Sequence, residues 1–391
     1  MAGEPAAVRF LLSNNLPGSV TRITADTASV FARLGIHTTV EFPIVDWWDY
    51  KVFALASAGS RQRAKVALRI TAETAVNVLR RRRWCGLRYH DVDPRVRTRS
   101  FLAVPSAQHW SDGDVAVVHP PYLMPHLLRT IPRPGAKLVL AIHVDLEKAM
   151  NSPIHHVAAW YRQWVAREQL IAVPRYATSD DSRKSAERLG ISVDRVIPNG
   201  IDLRLFRPEP DRRPNDPLVI LLYCDPHPQK GQIIGLKALL ELKASRPNIS
   251  LRSVGKLIDG HADVFDRNYG YLHGEDYADA LRQSDIFVYP SLYDGFPAPP
   301  LQAMASGAAL VASAVQGLTD YARDGENCLL CAPGDVDGMR HQIGQLIENR
   351  ELRERLQAGG RPTAERFNIE RCARDLLSFL TDVCAEAPRA V

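Results

Sequence analysis

The chain has 391 residues, of which 46% are hydrophobic and 24% are charged, the composition of an ordinary globular protein. This length exceeds the size at which one hydrophobic core usually stops growing, so we expect two domains. The formal net charge is only +5 and no nucleic-acid-binding module is recognisable, which argues against a nucleic-acid partner.

No membrane or targeting signal is recognisable. No apolar run reaches the roughly 18 residues of a membrane-spanning helix, and the first residues lack the basic-then-apolar order of a signal peptide. Among the six cysteines, Cys328 and Cys331 lie in an apolar segment without a second pair at zinc-site spacing, which favours a structural role. These features predict a cytoplasmic protein.

The first half of the chain alternates between short apolar strands and helical segments, the pattern of doubly wound α/β domains. Ile23, Val30, Phe31 and Leu34 recur at helical spacing, and Gly35 ends that helix. Strands are predicted at residues 8–12, 38–42, 115–119, 138–143, 170–173 and 195–198.

A polar, proline-rich stretch at residues 207–217 is the best candidate for an interdomain linker. After it the alternation resumes, with strands predicted at 218–223, 249–254, 286–289 and 309–312 and a final helix at 369–383. We therefore predict one Rossmann-like domain at residues 1–205, a second at 206–368 and a helical tail at 369–391.

The segment at residues 285–307 carries the clearest functional signal. Its apolar β formers predict a buried strand, Gly295 permits a tight turn, and Pro299 and Pro300 suit the first turn of a helix that Gly307 ends. A helix N-terminus over the carboxyl end of a buried strand is a ready site for an anion.

This segment resembles the donor-site signature of retaining glycosyltransferases of family 4, which have the GT-B fold. In that family an acidic residue opens the loop and a glutamate follows eight positions later; Asp294 and Gln302 stand at these positions here. The resemblance is specific at residues 177–202 and 229–335. It implies an α/β protein with two Rossmann-like domains facing each other across a cleft, the final helix crossing back to the first domain.

The resemblance assigns the pyrophosphate of a nucleotide sugar to two segments. Lys230 follows the first strand of the second domain and matches a family lysine, a point charge suited to phosphate. Asp225 stands where the family has an arginine. The amides of Gly295 and Phe296 and the helix after them would bind the same group, although Pro297 and two further prolines have no N–H to donate.

Four positions are assigned by the resemblance to the sugar and the nucleoside. Asp294 would contact a donor-sugar hydroxyl, and Gln302 would accept a hydrogen bond from the ribose without the charge of the family's glutamate. Gly270 and Tyr271 stand where the family has a glycine before its nucleobase contacts, although a plain turn fits them equally well. A helix-surface position without a ligand is the alternative for Gln302.

Three candidates lie in the predicted first domain. His143 ends a strand at the edge where α/β ligands gather, and a family histidine at this place lies by the reacting sugar. His119 ends the preceding strand and is a less specific candidate, and a structural role is the alternative for both rings. Gly18 matches the family's glycine turn after the first strand. The predicted catalytic residues are thus His143, Lys230 and Asp294.

Residues 51–99 form a strongly basic segment, with thirteen Lys and Arg against three acidic residues. Its densest run is Arg80, Arg81, Arg82 and Arg83, and apolar residues are interspersed along the segment. This pattern fits an amphipathic surface attracted to an anionic membrane, an anionic acceptor, or a solvated helix face. We expect an anionic partner, which would place the protein at the inner face of a membrane.

Together these features predict a retaining glycosyltransferase that moves a hexosyl or deoxyhexosyl group from a nucleotide-diphosphate sugar to an acceptor hydroxyl. The acceptor would be a glycan, a lipid-linked molecule or a small molecule, and neither a metal nor a cofactor is expected. The two altered acidic positions leave two alternatives. One is a catalytically silent GT-B protein with a binding or scaffold role, and the other is a peripheral membrane protein with a degenerate donor site.

Overall fold

The computed structural model describes residues 5–12, 19–43, 92–101, 111–119, 136–151, 158, 161–162, 164–166, 173–210, 215–258 and 260–386. The chain divides into two compact units. The first consists of the described residues up to Thr178, the segment Ser182–Ile197 and the chain from Cys372 onward. The second consists of Ser179–Asp181 and Pro198–Arg371.

The first unit contains a seven-stranded parallel sheet in the order β3-β2-β1-β4-β5-β6-β7. Its strands are β1 (Ala7–Leu12), β2 (His37–Pro43), β3 (Arg97–Phe101), β4 (Asp114–His119), β5 (Lys137–Ile142), β6 (Arg175–Ala177) and β7 (Arg195–Val196). Its helices include α1 (Ser19–Arg33), α2 (Leu146–Met150) and most of α3 (Asp180–Arg188). Ile23, Val30 and Phe31 of α1 are buried as predicted, whereas Leu34 lies beyond the helix and is exposed.

An ion-paired arginine lies inside this sheet. Arg9 on β1 donates from Nη1 to Glu41 Oε1 on β2 at 2.9 Å and from Nε to Asp114 Oδ2 on β4 at 3.0 Å. All three residues are at most 8% exposed. A buried charge is tolerated only with such partners, so the adjacent strands β2, β1 and β4 are joined by polar side-chain contacts as well as by backbone hydrogen bonds.

The second unit contains a six-stranded parallel sheet in the order β10-β9-β8-β11-β12-β13. Its strands are β8 (Leu218–Cys224), β9 (Ile249–Gly255), β10 (Arg267–Asn268), β11 (Ile286–Tyr289), β12 (Ala309–Ser313) and β13 (Leu329–Cys331). Its helices are α4 (Gln232–Ser245), α5 (Gly274–Arg282), α6 (Ala298–Ala305), α7 (Val336–Glu348) and α8 (Arg350–Glu365), with short 3₁₀ turns at Pro228–Lys230 and Ala262–Val264.

Helices cover both faces of this second sheet, which explains why its central strands are apolar throughout. Ile286 and Val288 of β11 point into a core cluster shared with α4 and α7. Phe287 and Tyr289 alternate with them and join the opposite cluster, which includes α5 and α6. Tyr289 is therefore the last buried side chain of β11 on the α6 side.

The last helix, α9 (Ile369–Ala385), packs on the first unit from Cys372 onward. Lys137 Nζ donates to the carbonyl oxygen of Val383 at 2.5 Å, and Arg195 pairs with Asp382 at 2.9 Å. The ring of Phe379 meets Tyr176 edge-on, with 6.2 Å between centroids. The final helix is thus part of the N-terminal unit.

The second unit begins earlier than the predicted boundary between residues 205 and 206. The N–H of Ile201 donates to the carbonyl of Phe367 and the N–H of Ile369 donates to the carbonyl of Ile201, both at 2.9 Å. Phe206 is fully buried in the core of the second unit. Because these contacts join residues about 165 positions apart, the local composition that marked the linker could not reveal them.

Several elements differ from the predictions. Val173, at the end of the strand predicted at 170–173, precedes β6, and residues 170–172 lie outside the described part of the chain. His143 follows β5 instead of ending it. The helix α6 begins at Ala298, so Pro299 and Pro300 lie in its first turn as predicted. The strands β3, β10 and β13 were missed because they are short and, in the first two, rich in polar residues.

Candidate active site

Two loops meet at the carboxyl ends of the central strands of the second sheet. β8 and β11 are adjacent and parallel, with β9 on the far side of β8 and β12 on the far side of β11. Open α/β sheets bind ligands where the strand order reverses in this way. Lys230 lies in the loop after β8 and Asp294 in the loop after β11, so the topology places both predicted residues at this point.

Close backbone contacts hold the two loops together. Gly231 has a φ of +61°, and a Cβ there would lie 1.9 Å from the carbonyl oxygen of Pro290, so only glycine fits. The N–H of Leu292 and the hydroxyl of Ser291 both donate to the carbonyl of Gln229, at 2.7 and 3.1 Å. These contacts fix Lys230 beside the loop that carries Asp294.

Lys230 and Asp294 form an ion pair, with 2.5 Å between Nζ and Oδ2 and side chains 17% and 16% exposed. The Tyr289 hydroxyl donates to the same Oδ2 atom at 2.6 Å, and Lys230 Nζ lies 3.3 Å from that hydroxyl. The N–H of Gly295 donates to Oδ1 at 3.0 Å. Both oxygens of the Asp294 carboxylate are therefore hydrogen-bonded within the protein.

This arrangement fixes the charge state of two groups. Burial lowers the pKa of Lys230, but the charge and hydrogen bond of Asp294, together with Tyr223 and Asp225, outweigh burial, and the pKa of the ammonium lies above its ordinary value. Burial raises the pKa of Tyr289 well above its usual range, and Asp294 raises it further. At neutral pH Lys230 is a cation and Tyr289 a neutral hydrogen-bond donor.

The loop before α6 offers fewer free amides than the resemblance implied. The N–H of Gly295 is engaged by Asp294, and Pro297, the N-cap of α6, has none. In the part of the chain from 260 to 386, no acceptor contacts the N–H of Phe296. That amide is therefore available as a donor to a ligand.

The side chain of Phe296 belongs to the core. It is 5% exposed, and its ring packs against Tyr321 and Phe367 with centroid distances of 5.3 and 5.4 Å. The Tyr321 hydroxyl donates to the carbonyl of Pro297 at 2.6 Å. Tyr321 and Phe367 therefore support the turn from which α6 starts.

Gln302 lies on α6 and is only 4% exposed, so the alternative of a surface position is wrong. Its side-chain amide makes no hydrogen bond to the described residues. Gly270 has a φ of +64° and accepts from the N–H of Gly255 at 2.8 Å, closing a turn after β10. Tyr271 is 53% exposed beside this turn.

Asp225 stands at the position where the resemblance places an arginine, and its side chain makes a hydrogen bond within its own loop. Its Oδ1 atom accepts from the N–H of His227 at 2.8 Å. Partial burial raises the pKa of Tyr271, and the charge of Asp225 adds to this shift. The charge of Asp225 also raises the pKa of Lys230, so Asp225 is close enough to interact electrostatically with both side chains.

The histidines predicted in the first domain are neighbours in the first unit. His119 is the last residue of β4, His143 follows β5, and these strands are adjacent in the sheet. Nδ1 of His119 lies 2.6 Å from Nε2 of His143. Burial lowers the pKa of His143 to about 4 and that of His119 well below its ordinary value, with His143 adding to the second shift. Both rings are neutral at pH 7.

Two sets of predicted residues lie outside the described part of the chain, namely Gly18 and the cluster Arg80, Arg81, Arg82 and Arg83. The sequence pattern did not indicate Tyr289 as a site residue, because an aromatic residue in an apolar strand is typical of the core. Its place at the carboxyl end of the strand, one loop before Asp294, was the available signal.

The described residues contain neither a cluster of metal ligands nor a helix that could cross a membrane. No group of three or more His, Cys, Asp or Glu side chains suited to a metal ion occurs in this part of the chain. Over the same residues, every helix is too short or too polar to span a bilayer.

Comparisons with known proteins agree with this geometry. The sequence model of the family described as glycosyl transferases group 1 matches residues 206–362. The MMP alpha-(1->4)-mannosyltransferase of Mycolicibacterium hassiacum is 30% identical over 292 residues, which cover 67% of this chain and 69% of that protein. The D-inositol 3-phosphate glycosyltransferase of Nocardioides sp. is 27% identical, over 50% of each chain.

The fold is also that of solved glycosyltransferase structures. Anabaena HepE, solved in complex with UDP and glucose, superposes with a TM-score of 0.70 over 96% of this chain and all of its own, at 18% identity. The predicted GT-B fold is confirmed by this likeness. The family model matches the unit that holds Lys230 and Asp294, and the mannosyltransferase aligns over two thirds of both sequences. The chain therefore belongs to the group 1 glycosyl transferases and is a glycosyltransferase.

Proposed function

We propose that this glycosyltransferase takes its sugar from a nucleotide-diphosphate sugar and transfers it to an acceptor hydroxyl with retention of anomeric configuration. The observation that carries the proposal is the position of Lys230, a partly buried cation at the switch point of the second sheet, beside the carboxylate of Asp294. A diphosphate needs a cation of this kind, and a sugar hydroxyl needs an acceptor next to it.

The reaction we propose is a front-face displacement. The bond between the anomeric carbon and the β-phosphate oxygen breaks, and the acceptor oxygen forms its bond to that carbon on the same face. The acceptor proton passes to the departing phosphate oxygen, so the products are a glycoside and a nucleoside diphosphate. Negative charge develops on the leaving phosphate, where Lys230 and the N–H of Phe296 would stabilise it.

The remaining residues are assigned by their positions. Asp294 would accept a hydrogen bond from a donor-sugar hydroxyl, with Tyr289 orienting the carboxylate. The free, buried amide of Gln302 would bond the ribose, and the exposed ring of Tyr271 would lie against the base. His143 would contact the donor sugar, as the family resemblance implies. Neither a metal nor a cofactor is needed in this proposal, because Lys230 supplies the positive charge.

Relatives support the type of donor and the linkage. HepE binds UDP and glucose, and the mycobacterial relative forms an α-(1→4) mannosyl linkage. Both facts favour a nucleotide-activated hexose as donor for this chain. The family resemblance of the loop around Asp294 favours retention.

We further propose that the acceptor or its surroundings are anionic. The basic residues at 51–99 outnumber the acidic ones by thirteen to three, and one relative acts on an inositol phosphate. Each basic residue near an anionic lipid surface contributes about 1 kcal/mol. Arg80, Arg81, Arg82 and Arg83 are the residues assigned to this contact.

A direct assay tests the proposed reaction. The protein would be incubated with UDP-glucose, UDP-galactose, GDP-mannose and dTDP-rhamnose, each with inositol phosphate, glyceric acid and simple glycosides as acceptors. Mass spectrometry would detect a glycoside and the matching nucleoside diphosphate, and proton NMR of the anomeric signal would show the configuration of the donor retained. A product with inverted configuration would contradict the mechanism, and consumption of none of the four donors would contradict the donor class.

A further inference from the structure

A glycine from another loop packs against one peptide group of the loop between β11 and α6. A Cβ atom on Gly317 would lie 1.7 Å from the carbonyl oxygen of Gly295, 2.3 Å from its carbonyl carbon and 3.0 Å from the amide nitrogen of Phe296. Gly317 also has a φ of +76°, so both the space and the backbone conformation require glycine there. The main chain at Gly317 therefore lies directly against the peptide between Gly295 and Phe296.

This contact determines where a hydrogen-bond donor points. The Gly295 carbonyl and the Phe296 N–H belong to one trans peptide, which is planar, with its C=O and N–H directed to opposite sides. A neighbour that fixes the carbonyl therefore fixes the direction of the N–H as well. Nothing among the described residues accepts a hydrogen bond from that N–H, so its direction depends on the packing behind it.

Gly317 is in turn held by a carboxylate. Its N–H donates to Oδ2 of Asp181 at 3.2 Å, and in the opposite direction the N–H of Asp180 donates to Oδ2 of Asp320 at 3.0 Å. These two hydrogen bonds join the start of α3 to the loop after β12, and all four residues belong to the second unit. A carboxylate is a stronger acceptor than a neutral oxygen, so Asp181 anchors the glycine that supports the donor loop.

We propose that Asp181 is a positioning residue for sugar transfer. It holds Gly317 against the peptide between Gly295 and Phe296 and thereby directs the Phe296 N–H toward the leaving phosphate. The role of that N–H rests on the proposed function. Because negative charge develops on the phosphate as the donor bond breaks, the contribution of a correctly directed N–H is larger in the transition state than in the ground state.

The first test reads the Phe296 amide directly and needs no substrate. The sequence contains a single Gly-Phe pair, Gly295-Phe296, so protein labelled with ¹³C-carbonyl glycine and ¹⁵N-phenylalanine gives one amide signal with ¹³C coupling. In Asp181→Ala the acceptor for Gly317 is lost, and we expect the Phe296 signal to move by more than its linewidth. In Asp181→Asn the amide oxygen can still accept, and the signal should move much less.

The second test measures transfer in the same variants. With UDP-glucose and GDP-mannose as donors, we expect kcat of Asp181→Ala to fall about tenfold while KM for the donor changes less than about threefold. Asp181→Asn should restore kcat to within about threefold of wild type. The control is Glu351→Ala, which removes an exposed acidic residue from the first turn of α8 and should keep the wild-type kcat and Phe296 signal.

The outcomes separate positioning from a structural role. Lower thermal stability of Asp181→Ala with an unchanged Phe296 signal would mean that Asp181 only stabilises the fold, and it would overturn the proposal. Equal kcat values for Asp181→Ala and Asp181→Asn would do the same. If the wild-type protein transfers no sugar and binds no nucleoside diphosphate, the proposed function fails, while the nucleotide-free spectra still decide whether Asp181 orients this peptide. The two failures are therefore distinguishable.

Discussion

The ammonium of Lys230 lies 2.5 Å from the carboxylate of Asp294, although the two residues are on different loops of the second sheet. Each is assigned to a different part of the donor, the lysine to the diphosphate and the aspartate to the sugar. Their charges neutralise each other within the protein. In the proposed function, donor binding exchanges this ion pair for contacts from the lysine to phosphate and from the carboxylate to a hydroxyl.

The first prediction concerns this exchange. Asp294→Asn removes the charge that competes with phosphate for Lys230, so affinity for a nucleoside diphosphate should rise, by about tenfold for a partly buried pair. Sugar transfer should slow, because an amide is a weaker hydrogen-bond acceptor than a carboxylate. Calorimetric titration with UDP and GDP measures the first effect and steady-state kinetics the second.

Tyr289→Phe is the control for the aspartate variant. It removes the phenol hydrogen bond and leaves the ion pair in place, so diphosphate affinity should change far less than in Asp294→Asn. Weaker diphosphate binding by Asp294→Asn would show that the carboxylate does not oppose the phosphate.

The second prediction concerns nucleotide choice. Gln302→Glu puts a charged acceptor at the ribose position, and a charged acceptor bonds a hydroxyl about twice as strongly as a neutral one. The ranking of uridine, guanosine, thymidine and adenosine diphosphates should change, with the ribonucleotides gaining over thymidine diphosphate. A thermal-shift panel reports this. The control is Gln345→Glu on α7, and identical rankings in Gln302→Glu and wild type would place Gln302 outside the nucleotide site.

The third prediction concerns pH. The pKa values of His119 and His143 are lowered in the folded protein, so the unfolded chain binds protons that the folded chain does not. Their contribution to the free energy of unfolding is present above the ordinary histidine pKa of about 6.5 and is lost as pH falls toward about 4. Urea unfolding at pH 7, 6 and 5 should show decreasing stability.

The variant His119→Asn should reduce this dependence, whereas His341→Gln, at an exposed position on α7, should preserve it. The same slope in all three proteins would mean that the buried pair does not govern stability in this range.

The fourth prediction concerns the basic segment. Replacing Arg80, Arg81, Arg82 and Arg83 by glutamine should weaken binding to anionic liposomes by a few kcal/mol at low salt, on a scale of about 1 kcal/mol per charge. Wild-type binding should also fall as ionic strength rises. Flotation with vesicles containing 30% phosphatidylserine measures both effects.

A variant with the same change in charge on the second unit is the control for flotation. Its four substitutions to glutamine are at the exposed residues Arg207, Arg355, Arg366 and Arg371. If wild-type protein does not float with the vesicles at low salt, and the quadruple variant at 80–83 keeps full transfer activity, the basic segment is a solvated surface.

The sequence predicted the central strands and both loops of the candidate site for a physical reason. Buried parallel strands such as β8 and β11 are continuous apolar runs, and the residues after them lie at the ligand edge of the sheet. Lys230 and Asp294 could therefore be placed together before the structure was known. The short strands at the edges of the sheets carried too few apolar residues to be recognised.

Contacts between side chains from distant segments could not be predicted from the sequence. The sequence indicates that Tyr289 is a core residue of β11, and only the structure shows that its hydroxyl donates a hydrogen bond to Asp294. The ring contact between His119 and His143 depends on the pairing of β4 with β5 and on the depth at which each strand ends. The buried pairs of Arg9 likewise join three strands that are far apart in the chain.

The account depends most directly on the affinity of the protein for a nucleoside diphosphate, with and without Lys230. We predict that calorimetric titration will show binding of at least one of UDP, GDP, dTDP and ADP to the wild-type protein and to Lys237→Ala, an exposed-lysine control on α4. In Lys230→Ala the affinity should fall about a hundredfold, because the buried cation at the diphosphate is gone. Binding of none of the four nucleotides by wild type, or equal affinity in Lys230→Ala, would contradict the account.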